Sequence, residues 1–192
     1  MNRKDLFACP FYFDRIELDT EKVSNTIIST PCVKAMSVDE NILETNFKFL
    51  YDPIDKIVSK VMSELGFVKY NIFTSWMTKT AIGYRHGLDH MHCNSFYSGI
   101  LYLTDNASPI IFRHPMPWRW SSGLDDKNDG MVKSNQFVMS PMKGDIVLFP
   151  SHVHHLIMPH KDPQVRYSIA FNIHPIGQYG ARDSTINVSI LK

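Results

Sequence analysis

Hydrophobic periodicity changes once along this chain and does not change back. Between Pro53 and about Leu65, Ile54, Ile57, Val58, Val61, Met62 and Leu65 fall on one stripe of a helix. Asp52 suits its N-cap, Pro53 its first position, and Gly66 the place just past its end. A second helix is expected from Thr20-Glu21-Lys22-Val23 toward Pro31, after an opening strand marked by Phe11, Phe13 and Ile16. From Lys69 onward the pattern is extended. Ile72, Phe73, Trp76 and Ile82 mark one stretch; Phe96 to Leu103, Pro109 to Phe112, Asp145 to Phe149 and Arg166 to Ile173 mark others. Turn residues separate them at Gly83 and Gly87, at Asp105-Asn106, at Pro141 to Gly144 and at Pro159 to Pro163. Helices first and short strands afterwards, without strand–helix alternation, exclude a doubly wound sheet. The expected fold is α+β, mainly β: a jelly roll, or double-stranded β-helix, with N-terminal helices supporting one face.

The chain of 192 residues is read as a single domain, with residues 1–75 as supporting elements and 76–175 as the strand-rich core. A net charge of +1 gives no general pull toward nucleic acid or an anionic membrane surface. No apolar run is long enough to span a bilayer, and Met1-Asn2-Arg3-Lys4-Asp5 is not followed by a signal-peptide core. Cys9, Cys32 and Cys93 are odd in number and far apart, as expected of reduced thiols in a cytoplasmic protein. Oligomeric state cannot be read from the sequence. Residues 114–135 carry Pro115, Pro117, Trp118, Trp120 and the run Asp125-Asp126-Lys127-Asn128-Asp129. The segment is too long and polar for a hairpin turn, and it reads equally as a solvated insertion or as a lid over a substrate mouth.

All but one of the nine histidines lie between His86 and His160. His90 and His92 are two apart, so on a regular strand they share a face and can reach one ion. A third imidazole must come from elsewhere: His152, His154, His155 and His160 are candidates, with His114 more remote. Periodicity does not choose between His154 and His155. Cys93 follows His92 directly and should point to the opposite face. Imidazoles on one side of a metal leave other coordination positions open. Arg166, eleven residues beyond His155, has the planar fork that clamps a carboxylate.

Three ordered stretches are shared with a known group: His90-Met91-His92-Cys93-Asn94-Ser95-Phe96-Tyr97-Ser98-Gly99-Ile100-Leu101-Tyr102-Leu103, then Gly144-Asp145-Ile146-Val147-Leu148-Phe149-Pro150-Ser151, then His155-Leu156-Ile157-Met158-Pro159 leading to Arg166-Tyr167-Ser168-Ile169-Ala170-Phe171-Asn172. From about Trp76 to His174 the chain resembles the catalytic core of the 2-oxoglutarate- and iron(II)-dependent oxygenases of prolyl-hydroxylase type, most of all the small phage-like oxygenases of marine bacteria and tailed phages. The resemblance selects His155 as the distal iron ligand, with His90 as the proximal one. It implies that Arg166 pairs with the distal carboxylate of 2-oxoglutarate, that Ser168 adds a hydroxyl, and that Tyr102 bonds the same carboxylate. Val147, Leu148, Phe149 and the 96–103 stretch would supply an apolar sheath. The implied cofactors are iron(II), 2-oxoglutarate and dioxygen, with ascorbate as a supporting reductant. The implied reaction is hydroxylation of a substrate C–H bond with release of succinate and carbon dioxide.

One departure bears on the metal. The usual triad is two histidines and a carboxylate, and His92 stands where that carboxylate belongs. His92 is taken as the third ligand beside His90 and His155; Asp89 turned inward, or His92 beside a water-completed site, are the alternatives. Two other readings are a cupin-like three-histidine dioxygenase that does not use 2-oxoglutarate, and a jelly-roll binding module without chemistry. A zinc hydrolase lacks a carboxylate placed as general base beside the histidine pair. The substrate, small molecule or peptide, is not identified by the sequence.

Overall fold

The period-2 stretches form two sheets that face each other. The computed structural model describes residues 9–85, 87–105, 108–115 and 136–190. The strands are β1 (Tyr12–Arg15), β2 (Cys32–Val33), β3 (Met36–Ser37), β4 (Tyr70–Thr80), β5 (Tyr97–Tyr102), β6 (Ile110–Arg113), β7 (Gln136–Met139), β8 (Asp145–Pro150), β9 (His155–Ile157), β10 (Arg166–Pro175), β11 (Gly177–Tyr179) and β12 (Ile186–Val188). The large sheet runs β1-β8-β5-β10-β4-β3-β2 and the small one β7-β6-β9; β11 and β12 pair separately. The pairings between strands are antiparallel. This is the jelly roll expected from the pattern.

Each face of the large sheet has its own core, and strand parity decides which residue goes where. Leu101, Ile146, Leu148, Ile169, Phe171 and Ile173 join the cluster that includes Ile54, Val58, Val61 and Met62. Those last four lie on helix α2 (Tyr51–Glu64). The opposite parity, Ile100, Tyr102, Val147 and Phe149, meets Ile110, Phe112 and Ile157 of the small sheet. Leu148 was expected in the sheath of the site; alternation along β8 puts it with Ile146 on the helix side instead. Only Val147 and Phe149 of that run face inward.

Helix α1 (Thr20–Ser29) starts at an Asp19 cap that accepts from the Lys22 N–H at 3.0 Å. Helix α2 corrects the expected start. A 3-10 turn at Lys48–Leu50 leads straight in, Leu50 occupies the N-cap without a side-chain bond, and Asp52 lies in the first turn as an acid. Burial of Leu50 anchors this end in place of a polar cap, and Pro53 is tolerated because its missing N–H is one that has no intrahelical partner there. Gly66 ends the helix at φ 86°, as its position suggested. The short strands β2, β3, β7, β11 and β12 had no sequence signal. The tryptophans of the 114–135 segment, Trp118 and Trp120, lie outside the described residues.

The helix-side face of the large sheet is filled at Gly99 of β5, where an added Cβ would lie 2.1 Å from the ring of Phe171, its partner on β10. Gly99→Ala is therefore expected to lose roughly 1–3 kcal/mol, the usual cost of overpacking a filled core. Urea unfolding of G99A beside a G99A/F171L double variant checks this, with partial recovery expected in the double variant.

Candidate metal and carboxylate site

Two backbone segments bring the three histidines together. His90 and His155 form an antiparallel bridge, each N–H donating to the other's carbonyl at 3.0 and 2.9 Å. The His92 N–H donates to the Ser151 carbonyl at 2.9 Å. Residues 90–92 are thus tied to 151–155 without forming a regular strand. A turn at Cys93-Asn94, with Asn94 at φ 61°, then sends the chain into β5. Asn tolerates that left-handed conformation better than most residues.

The ligand atoms of His90, His92 and His155 all lie within 4.8 Å of one another. The Nε2 atoms of His90 and His92 are 3.3 Å apart. Two nitrogens bound cis to one metal at about 2.1 Å stand about 3 Å apart, so this spacing suits a shared ion. Each Nδ1 faces an oxygen acceptor: the Leu88 carbonyl at 2.7 Å for His90, Asn172 Oδ1 at 2.7 Å for His92, and the Val153 carbonyl at 3.1 Å for His155. A proton held on Nδ1 leaves the Nε2 lone pair free, and that is the tautomer a metal requires. Gly87, at φ 81°, lets the His90 ring lie close; a Cβ there would be 2.9 Å from its Cε1.

The other candidates are engaged elsewhere. From Ser151 to Ile157 burial alternates, with Ser151, Val153, His155 and Ile157 inside and His152 and His154 exposed. His154 turns to Asp89 at 3.3 Å. Asp89 is held by Arg113 as well, so it points away from the imidazoles. Burial acts to raise the Asp89 pKa, but its bonds to Arg113 and His154 prevail and lower it. His160 is buried between Ser108 Oγ at 2.9 Å and the Gln164 carbonyl at 2.6 Å. Cys93 is exposed and outside the cluster.

Farther along the same inner face lies a second feature. Arg166 is fully buried, and among the described residues its Nε, Nη1 and Nη2 have no hydrogen-bond partner. The hydroxyls of Tyr102 and Thr80 are also buried and without partners among the described residues. Register explains the grouping: Thr80 is opposite Arg166 on β4, and Tyr102 is opposite Ser168 on β5. The guanidinium carbon lies 5.4 Å from the centre of the Tyr102 ring. Ser168 Oγ meets Thr78 Oγ1 at 2.7 Å. Burial pushes the Tyr102 hydroxyl up to about 12 against the opposing pull of Arg166, and burial lowers Arg166 itself. Ala170, a small side chain opposite Trp76 and Ile100, stands on the strand between Ser168 and Asn172. Thr80 was missed by sequence reasoning, because its role depends on the β4–β10 register.

A buried guanidinium without a counter-charge costs several kcal/mol, so this arrangement calls for an anion. The sequence profile of the family described as "Putative 2OG-Fe(II) oxygenase" matches residues 74–172, just over half of the chain. The chain belongs to the 2OG-Fe(II) oxygenases. Among curated proteins, none matches it by sequence. Solved structures of similar fold include HygX from Streptomyces hygroscopicus with nickel, 2-oxoglutarate and hygromycin B, at TM-score 0.58 and 11% identity, covering 86% of this chain and 82% of that one. A Pseudomonas putida prolyl-4-hydroxylase has TM-score 0.55 and 12% identity, covering 84% and 91%. The viral collagen prolyl hydroxylase of Paramecium Bursaria Chlorella virus-1 has TM-score 0.53 and 12% identity, covering 86% and 96%. At these identities the likeness shows the fold.

The neutral imidazoles of this oxygenase shape its pH dependence. Burial holds His155 down to about 3, with smaller opposing help from the Val153 carbonyl, and burial also lowers His92. In the unfolded chain these groups protonate near the ordinary value of about 6.5. Stability of the metal-free protein is thus full above about pH 6.5 and falls as the pH drops toward the depressed folded values, by up to about 1.4 kcal/mol per pH unit for each histidine. Urea midpoints between pH 8 and 5 should fall, and His155→Gln should make the fall shallower.

Proposed function

We propose that this 2-oxoglutarate- and iron(II)-dependent oxygenase holds its metal through Nε2 of His90, His92 and His155. Arg166, Tyr102, Thr80 and Ser168 receive the distal carboxylate of 2-oxoglutarate. The observation that carries the reading is the fully buried, partnerless Arg166 guanidinium on the same sheet face as three converging imidazoles. An anion with two acceptor oxygens satisfies the planar fork of Arg166 bidentately. Tyr102 and Thr80 can each donate one further bond to it. Because Thr78 Oγ1 can donate to Ser168 Oγ, the Ser168 proton is also available to the carboxylate.

When bound, the iron with 2-oxoglutarate and dioxygen supplies the oxidising chemistry: 2-oxoglutarate becomes succinate and carbon dioxide, and one oxygen atom enters a substrate C–H bond. The chain's own residues bind, orient and exclude water. Phe149 packs edge-on to the His155 ring at 4.8 Å, and Trp76 lies 5.9 Å from His92, so two ligands have apolar walls. A triad of neutral imidazoles carries one negative charge fewer than a triad with a carboxylate. The pocket therefore draws more of its charge balance from the co-substrate, and metal and 2-oxoglutarate binding should reinforce each other. A three-histidine dioxygenase without 2-oxoglutarate, or an inactive module, has no use for the Arg166 arrangement. HygX is solved with hygromycin B bound, and two other neighbours are named as prolyl hydroxylases; the substrate here is proposed to be a small molecule or peptide.

The test is succinate formation from 2-oxoglutarate in air, using anaerobically purified protein with iron(II) and ascorbate. Turnover is expected in the wild type, with none above background in His155→Ala. Arg166→Ala should raise the 2-oxoglutarate requirement by about 100-fold or more, the scale of losing one partner of a buried charge pair. Iron-dependent turnover unaffected by both substitutions would remove these residues from the site.

A further inference from the structure

The three imidazoles are not held alike. His90 and His155 present Nδ1 to main-chain carbonyls, which can only accept. His92 presents it to side chains, Asn172 Oδ1 at 2.7 Å and Ser98 Oγ at 3.1 Å. The Asn172 amide nitrogen donates to Thr74 Oγ1 at 3.1 Å, which turns its oxygen toward His92. Ser98 Oγ can donate to that oxygen at 2.9 Å and also meets Ser151 Oγ at 2.8 Å, where either hydroxyl can be the donor. An amide oxygen only accepts, so at 2.7 Å from it His92 Nδ1 must carry the proton itself.

Strand register builds this support. Asn172 is opposite Ser98 on one side and Thr74 on the other, a polar row across β5, β10 and β4. It sits on the same inner face as Arg166 and six residues along the strand from it. One strand therefore carries the carboxylate anchor at one end and the His92 support at the other.

We propose that Asn172 is a positioning residue: its amide oxygen, backed by Ser98 and Thr74, fixes His92 as the Nδ1–H tautomer and so lets a neutral imidazole serve where the family resemblance places a carboxylate. The proposal rests on the metal-site reading above. Without the Asn172 oxygen, His92 Nδ1 loses its acceptor, and the Ser98 hydroxyl, 3.1 Å away, can donate to it instead. The proton of the ring then moves to Nε2, and the nitrogen aimed at the metal is blocked. Partners of this kind typically change metal affinity by about 10–100-fold.

The experiment uses full-length, metal-free, nitrogen-15-labelled protein. Long-range proton–nitrogen NMR reads the tautomer of each imidazole, and cobalt(II) titration reads affinity. Wild type should show His92 as Nδ1–H. Asn172→Asp keeps acceptor oxygens at this position and should keep both the tautomer and the affinity. Asn172→Leu should shift His92 toward Nε2–H and weaken cobalt(II) about 10-fold or more, with His90 and His155 unchanged. Unchanged tautomer and affinity in Asn172→Leu, or an Nε2–H His92 in the wild type, would overturn the proposal. If Asn172→Leu does not fold, the wild-type tautomer and Asn172→Asp decide it. Wild type that binds no cobalt(II) contradicts the metal-site reading instead, while the tautomer still answers for Asn172.

Discussion

A guanidinium that is fully buried and, among the described residues, without a counter-charge is the feature on which the rest of the structure depends. Removing a charge from water without a partner costs several kcal/mol. A small domain has a net stability of only about 5–15 kcal/mol, so such a cost is a large fraction of the whole. The jelly roll tolerates it because both faces of the large sheet are packed around Arg166, and, in the function proposed here, because an incoming carboxylate offsets it. A site tuned to an anion is in this sense less stable when empty than when filled.

Strand β10 organises the molecule. Its odd residues, Ile169, Phe171 and Ile173, face the helices and close the larger core. Its even residues, Arg166, Ser168, Ala170 and Asn172, run along the inner face from the proposed carboxylate anchor to the proposed His92 support. Gly99 on β5 belongs to the same design, since it makes room for Phe171 on the side away from the chemistry. Alternation thus separates stability from function on one strand, and a register slip by one residue would exchange the two.

Much of this was legible in the sequence. Helix α2 was marked by its apolar stripe, and the strands that carry the site were marked by β-branched and aromatic residues. Its start was misread because Leu50 anchors the helix by burial, and a good polar cap two residues later looked more persuasive. The choice of His155 over His154 needed the resemblance; only the structure shows that His155 shares the buried parity of Val153 and Ile157. His90 and His92 met as expected but not on a regular strand; main-chain bonds to His155 and Ser151 do the work that strand geometry was expected to do. Thr80, Asn172 and Gly87 acquire their roles only through pairing across strands or through a ring lying against a backbone. Sequence spacing does not encode such contacts.

The most direct test of the central claim is calorimetric titration of 2-oxoglutarate into the protein with and without iron(II), under anaerobic conditions. The account predicts that 2-oxoglutarate binds, that it binds more tightly when iron is present, and that Arg166→Ala abolishes the heat in both cases. Absence of 2-oxoglutarate binding by the iron-loaded wild type, or binding unchanged in Arg166→Ala, would contradict it.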